Sequence, residues 1–366
     1  MRLLIVSGKR GGMEAMLPML RIMEEDPDIT PHLCLVDQHL KVKFGLTASK
    51  VPFPVFAYIQ TPRDGDSAWE RNHNMGHITR MIGLELSEAD PKYDAIVLYG
   101  DRGEVAAAAL SAVTNGTPIV HLQAGDETGQ ADNTYRRMIS TAASILFVSN
   151  EHGLYNLLNQ GIEGGRKNIH VVGDQHIDCL MQSPDPAEII DISEHDTQYS
   201  CVLIYHPETN DAKAEEDKAD MLVKSTSQVA QIIAVYPCSD PGHNGVIRSL
   251  EKYRGLDKYR LYGNIQSDTF HHLLKRVDFI IGNSSSGIIE AAYHHTPSVD
   301  VGYRQEKRVR PPSVFNAVWE PTDIGAQIVA ALEYGKNKRR KWSKLYGDGN
   351  ASEKIVNILK ERFCNE

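Results

Sequence analysis

Short apolar runs separated by segments of helical spacing recur along the whole chain. In the first half, Leu3–Val6, His32–Val36, Ala95–Leu98, Pro118–His121, Ile145–Val148 and His170–Val172 read as buried parallel strands. Between them, Glu14–Glu25, Ala68–Leu86, Glu104–Thr114 and Thr134–Ala143 have helical periodicity or composition. The second half repeats the pattern, with strands over Ser200–Tyr205, Ile232–Tyr236, Tyr259–Tyr262, Phe279–Ile281 and Ser298–Val301. Strand and helix in alternation predict an α/β fold with doubly wound sheets, whose ligands lie beyond the carboxyl ends of the strands. The Gly173–Asp178 turn, and the stretch from Ser183 to Thr197 with two prolines and several acids, mark the crossing between domains. Two similar domains, 1–178 and 179–366, facing each other would form a cleft.

Length supports that division, since 366 residues exceed a typical single core and suit two domains of about 150 to 200 residues. A hydrophobic content of 41% and a charged content of 24% are those of a globular protein. The net charge of -9 argues against non-specific nucleic-acid binding while leaving room for a local basic pocket. The basic run Lys336–Lys341 therefore reads as a solvated helix end. The five cysteines are scattered without a close-spaced ligand pair, as free thiols in a reducing compartment would be. The apolar core of the N-terminus is too short for a signal peptide, and no stretch approaches the ~20 apolar residues of a membrane span. A cytoplasmic protein is expected, with no membrane partner.

Several strand ends carry candidate chemistry. After Val277–Ile281 comes Gly-Asn-Ser-Ser-Ser-Gly-Ile-Ile-Glu, a small-residue turn leading into a helix. Ser284, Ser285, Ser286 and Gly287 could offer hydroxyls and backbone N–H groups to a phosphate, with Glu290 about one turn into the helix and able to accept from a ribose diol. The turn could equally be an ordinary one. Lys9 and Arg10 lie among glycines where the first helix begins, and cations at that end do not serve the helix dipole, so an external anion explains them better. Asp101 follows a strand and a glycine, where a carboxylate either projects toward ligand or caps the next helix. Asp132 and Arg136 share a helix face as a possible ion pair. His206 ends a strand and is either structural or a proton donor.

The segments Ser7–Arg10, Phe44–Thr47, Tyr99–Glu104, His121–Thr128, Asp132–Arg136, Tyr205–Thr209, the serine turn, and Val301–Gln305 with Arg308 occur in the order found in one family. The chain resembles the UDP-N-acetylglucosamine 2-epimerases over nearly its whole length, and more closely their hydrolysing branch, which forms N-acetylmannosamine and UDP. That resemblance implies two Rossmann-like domains in a GT-B-like architecture, with the last helix crossing back to the first domain. It implies Arg10, the serine turn, Glu290, Arg304 and Arg308 as nucleotide-binding residues. Asp101, Asp132, Arg136 and His206 become the acids, bases and leaving-group donors. A UDP-sugar and UDP are the implied ligands and a homo-oligomer, dimer or tetramer, the implied assembly. No metal cluster or nicotinamide fingerprint is visible, and no cofactor is needed, because cations and the serine turn can meet the diphosphate charge.

Gln123 departs from the pattern. The third position of His121–Gly125 is commonly a glutamate in the family, and an amide cannot exchange its proton. Asp126, Asn133 and Arg137 also differ from the usual residues, so the changes gather around the sugar and spare the nucleotide turn. The reaction itself needs a base for the C2 proton and donors for the departing diphosphate, then water added to the resulting glycal. Two other readings remain open: a nucleotide-sugar glycosyltransferase of the same architecture, in which Gln123 orients an acceptor, and a catalytically weakened UDP-sugar binding protein.

Overall fold

The computed structural model describes residues 1–65, 67–128, 132–162, 168–186, 188–192, 199–238, 240–336 and 343–364. Most of the basic run at 336–341 and parts of the expected crossing, at 187 and 193–197, lie outside the described residues. The chain divides into two compact units, one of Met1–Glu127, Ala131–Gln182 and Tyr346–Glu366, the other of Thr128–Gln130 and Ser183–Leu345.

The first unit runs β1 (Arg2–Ser7), α1 (Arg10–Glu25), β2 (Thr30–Val36), β3 (Val55–Ile59), α2 (Ala68–Glu88), β4 (Ala95–Tyr99), α3 (Gly103–Asn115), β5 (Ile119–Ala124), α4 (Asp132–Ala142), β6 (Ile145–Val148), α5 (Glu151–Asn159), β7 (Ile169–Val171) and α6 (Gln175–Met181). Its described strands form one parallel sheet in the order β3-β2-β1-β4-β5-β6-β7. Both faces are covered, which is why the strands read as unbroken apolar runs. Leu3 and Ile5 of β1 pack with α1, while Leu4 and Val6, pointing the other way, pack with α2 and α3. The final helix of the chain, α12 (Ala351–Phe363), also belongs to this unit and adds Ile355, Val356 and Leu359 to the α1 side.

The second unit contains β8 (Ser200–Ile204), α7 (Ala212–Ser227), β9 (Gln231–Val235), α8 (His243–Lys252), β10 (Tyr259–Tyr262), α9 (Ser267–Leu274), β11 (Phe279–Gly282), α10 (Glu290–Tyr293), β12 (Ser298–Val301), β13 (Val314–Ala317) and α11 (Pro321–Gly335). Its sheet is parallel in the order β10-β9-β8-β11-β12-β13. Cys201 and Leu203 face one core while Val202 and Ile204 face the other.

The α/β class and the predicted strands are present, with three corrections. The Gly173–Asp178 stretch, expected as a linking turn, runs from Gln175 onward into α6 (Gln175–Met181), so a boundary after Asp178 would cut a helix. Asp178 is buried, and its carboxylate accepts the N–H groups of Ala351 (3.1 Å) and Ser352 (2.5 Å), capping α12. The strands β3 and β13 were not anticipated; each lies at a sheet edge and buries only its last residue. The serine turn does not enter a continuous helix: Ser285–Gly287 is a single 3-10 turn, and Glu290 opens a four-residue helix. No helix among the described residues is long and apolar enough to cross a membrane.

Candidate active site

In the first unit, β1, β4, β5 and β7 deliver their residues to one end of the sheet, because parallel strands share a direction. Beyond β1, Ser7 Oγ meets Nε2 of buried His39 at 3.0 Å, and Nδ1 of that ring meets Thr47 Oγ1 at 2.8 Å. Burial pushes the His39 imidazole down to about 4, so it is a neutral brace between the first turn and the 37–50 segment. Gly8 leaves no room for a side chain, since a Cβ would come within 2.3 Å of Glu104. Arg10 opens α1 and lies 3.9 Å from Glu14.

Beyond β4 the chain turns at Gly100, φ 82°, and presents Asp101. Arg136, buried on α4, reaches back to this carboxylate and donates a second bond to the Asp126 carbonyl at 2.5 Å. Arg136 therefore pairs with Asp101, not along its own helix with Asp132 as the spacing suggested; Asp132 opens α4 at intermediate exposure. Asp101 directly precedes Arg102, the N-cap position of α3. His121, fully buried on β5, donates from Nε2 to the Gly100 carbonyl (2.7 Å) and accepts from Ser140 at Nδ1 (3.0 Å). Burial lowers this imidazole to about 4. A neutral His121 thus ties β5, α4 and the Asp101 turn together.

Gln123, the next-to-last residue of β5, has φ 56°, a left-handed conformation costing a non-glycine residue about 1–2 kcal/mol. Its amide nitrogen donates to Asp174 Oδ2 at 3.1 Å. The same oxygen accepts from Ser149 (3.2 Å), while Oδ1 faces His176 Nδ1 (2.8 Å) and accepts the His176 N–H (2.9 Å). Tyr99 brings its hydroxyl to 3.2 Å from His176 Nδ1. Tyr99, Gln123, Ser149, Asp174 and Gln175 line a water-sized cavity. Arg137 pairs with Glu127 at 2.6 Å.

In the second unit, the backbone N–H and C=O of His206 are held by the Asn283 side chain at 2.8 and 2.9 Å. The amide of Cys238 donates to His206 Nδ1 at 3.0 Å. A ring nitrogen that accepts cannot carry the proton, so neutral His206 carries it on Nε2 and can donate there. Asn283 also fixes the arginine segment, its carbonyl accepting from Arg304 Nη1 (3.4 Å) and Gln305 Nε2 (2.9 Å). His206, the start of the serine turn and Arg304 are thereby brought together. Arg304 also pairs with Asp240 at 3.4 Å. Within the turn Ser284 Oγ accepts the Ser286 N–H at 3.3 Å. Gly287 is in van der Waals conflict with any side chain, a Cβ meeting Ser298 Oγ at 2.4 Å. Glu290 is buried and 3.3 Å from His271 Nε2. Arg308 is buried one turn after Arg304, its N–H bonded to the Gln305 carbonyl.

Sequence reasoning missed Glu208. Its fully buried carboxylate accepts the N–H groups of Tyr303 (2.8 Å) and Arg304 (3.1 Å), Trp319 Nε1 (2.9 Å) and Lys218 Nζ (2.9 Å). Gly302 makes this close approach possible, with φ 87° and a would-be Cβ 2.3 Å from Glu208. Glu215 in turn accepts the N–H groups of Glu208 and Thr209, and the Tyr205 hydroxyl. Glu208 stood in a segment already singled out, beside His206, yet partners some hundred residues away gave no local signal. His271, Asp174 and His176 were missed as well.

A family profile described as UDP-N-acetylglucosamine 2-epimerase matches residues 21–360. Among curated proteins, a UDP-N,N'-diacetylbacillosamine 2-epimerase (hydrolyzing) of Legionella pneumophila is 30% identical over 98% of this chain and 95% of its own. A UDP-N-acetylglucosamine 2-epimerase of Neisseria meningitidis serogroup B is 28% identical over 92% of this chain and 88% of its own. The crystal structure of a UDP-GlcNAc 2-epimerase from Neisseria meningitidis bound to UDP-GlcNAc matches with a TM-score of 0.81, covering 99% of this chain and all of that one, at 20% identity. That structural likeness speaks to the fold, two Rossmann-like units of the GT-B-like class, and the sequence matches speak to descent. The chain belongs to the UDP-N-acetylglucosamine 2-epimerase family.

Proposed function

We propose that this enzyme is a hydrolysing 2-epimerase that takes a UDP-linked 2-acetamido sugar and releases UDP and the free 2-epimer, N-acetylmannosamine when the sugar is N-acetylglucosamine. The observation that supports the hydrolysing assignment is the 30% identity, over 98% of this chain, with the Legionella relative, whose name states that chemistry. The reaction breaks the C2–H bond and the C1–O bond to the diphosphate, leaving a C1–C2 double bond; water then adds at C1 while a proton reaches the opposite face of C2.

The residues suit these steps. His206, with its proton on Nε2, donates to the departing diphosphate. Arg10, Arg304, Arg308 and the 284–287 turn hold the phosphates, and Glu290, oriented by His271, accepts from the ribose. Asp101, fixed by Arg136 and the His121 brace, is one proton-transfer group, with Asp132 nearby in the sequence of α4. The amide at Gln123 favours a sugar other than N-acetylglucosamine, and the relative's N,N'-diacetylbacillosamine is the alternative to test. Purified enzyme is offered each UDP-sugar, and products are resolved by chromatography and NMR. Equal amounts of UDP and free 2-epimer support the proposal; a UDP-linked 2-epimer, or transfer to an acceptor, overturns it.

A further inference from the structure

Epimerisation at C2 requires a proton to leave one face of the carbon and another to arrive on the opposite face, so two separately placed groups must exchange protons. Position 123 holds an amide, which does neither. Around that amide the structure gathers a carboxylate, an imidazole and a phenol at the carboxyl ends of β4, β5 and β7. Asp174 is 2% exposed, and its oxygens accept from Gln123 Nε2, Ser149 Oγ and the His176 N–H. Those donors favour an ionised carboxylate, which can only accept. The 2.8 Å contact to His176 is then Nδ1–H donating to Asp174, which leaves the lone pair on Nε2. His176 is not sealed in, with a fifth of its side chain exposed. This is the arrangement that makes an imidazole an oriented base, its growing positive charge stabilised by the carboxylate behind it.

We propose that Asp174 and His176 form a carboxylate–imidazole pair that takes the C2 proton in place of an acid at position 123. Nε2 of His176 forms a bond to the C2 proton, the C2–H electron pair becomes the C1–C2 double bond, and the C1–O bond breaks with its electrons passing to UDP. Asp174 keeps its negative charge and holds the resulting imidazolium, which releases its proton to water after UDP departs. Addition of water to the double bond is served from the other face by the Asp101 side of the site. Gln123 acts as a positioning residue, fixing the Asp174 carboxylate through its amide, and its left-handed backbone is held by that bond. The inference rests on the proposed 2-epimerase reaction.

The test compares wild type, Asp174→Asn, His176→Ala, and the double variant Gln123→Glu with Asp174→Asn. Asparagine caps a helix about as well as aspartate, so Asp174→Asn retains the thermal protection given by UDP. Turnover should fall about 10²- to 10⁴-fold in each single variant, the range of one positioned base. Added imidazole should restore part of the activity of His176→Ala. Moving the carboxylate to position 123 in the double variant should recover at least about tenfold over Asp174→Asn; because the reversed amide–carboxylate bond is rebuilt there, the imidazole rescue of His176→Ala is what separates proton transfer from a structural role. Wild-type turnover in either single variant overturns the pair, and so does a His176→Ala defect that imidazole leaves untouched. A wild type that releases no 2-epimer is a different result: it removes the proposed reaction, and the pair with it.

Discussion

Asp101 and Arg136 are separated by 35 residues, and both are buried. Neither the helical spacing nor the strand-end rule could join them, because each describes local geometry and this contact is made between the turn after β4 and the helix α4. Removing one charge exposes the dependence. Asp101→Asn should lower turnover about 10²- to 10⁴-fold and also destabilise the fold by about 3–5 kcal/mol, since Arg136 loses the partner of a buried ion pair. Steady-state kinetics and chemical denaturation measure the two losses; full activity in this variant would remove Asp101 from the chemistry. In the second unit, Glu208→Gln should weaken UDP binding without touching nucleotide itself, because the N–H groups of Tyr303 and Arg304 lose a charged acceptor. Titration calorimetry reads this as a higher Kd. An unchanged Kd would show that Arg304 is held well enough by Asn283 and Asp240. Residue types were legible in the sequence, and so were their strand-end positions. Which side chain meets which was not.

At the scale of elements, the sequence revealed the strands buried on both faces, such as β1, where Leu3 to Val6 are fully covered, and also the edge strands β7 and β10, which keep short apolar or aromatic runs. The ones it concealed are β3 and β13, edge strands of which only the last residue is buried. The α6 helix was hidden by its shortness and by the glycine and aspartate before it, which resemble a turn; Asp174 is its cap. Turns are braced by histidines that burial holds near 4, His39 behind β1 and His121 behind β5. An unfolded histidine titrates near 6.5. Between about 6.5 and 4 the unfolded chain therefore binds more protons than the folded one, so stability is full above this window and falls as pH drops through it. Each ring contributes at most about 3 kcal/mol to that loss. Thermal unfolding followed from pH 7.5 to 4.5 should show this decline, and His121→Gln should flatten it in addition to lowering the starting Tm. An identical slope in the variant would mean that His121 is not neutral in the folded protein.

For the whole molecule, division into two parallel α/β units was legible from the repeated strand–helix pattern, while the return of α12 to the first unit was implied by family resemblance alone. Its attachment is visible only in three dimensions, where Asp178 caps it from 173 residues away. Nucleotide binding is a whole-protein property in a second sense. A ligand that binds only the folded state stabilises it by about 2.7 kcal/mol at a hundredfold excess over Kd. UDP should therefore raise Tm, and Glu290→Ala should abolish most of the rise; a full shift in that variant would move the nucleotide away from the serine turn. The most direct test of the hydrolysing 2-epimerase reading follows the C2 hydrogen itself. Wild-type enzyme is run to completion with a UDP-2-acetamido sugar in heavy water, and the released sugar is examined by NMR. Deuterium at C2 of an inverted free sugar, formed in step with UDP, is the predicted result. Release of UDP with the original hydrogen retained at C2 would contradict it, because the bond to that hydrogen would never have been broken.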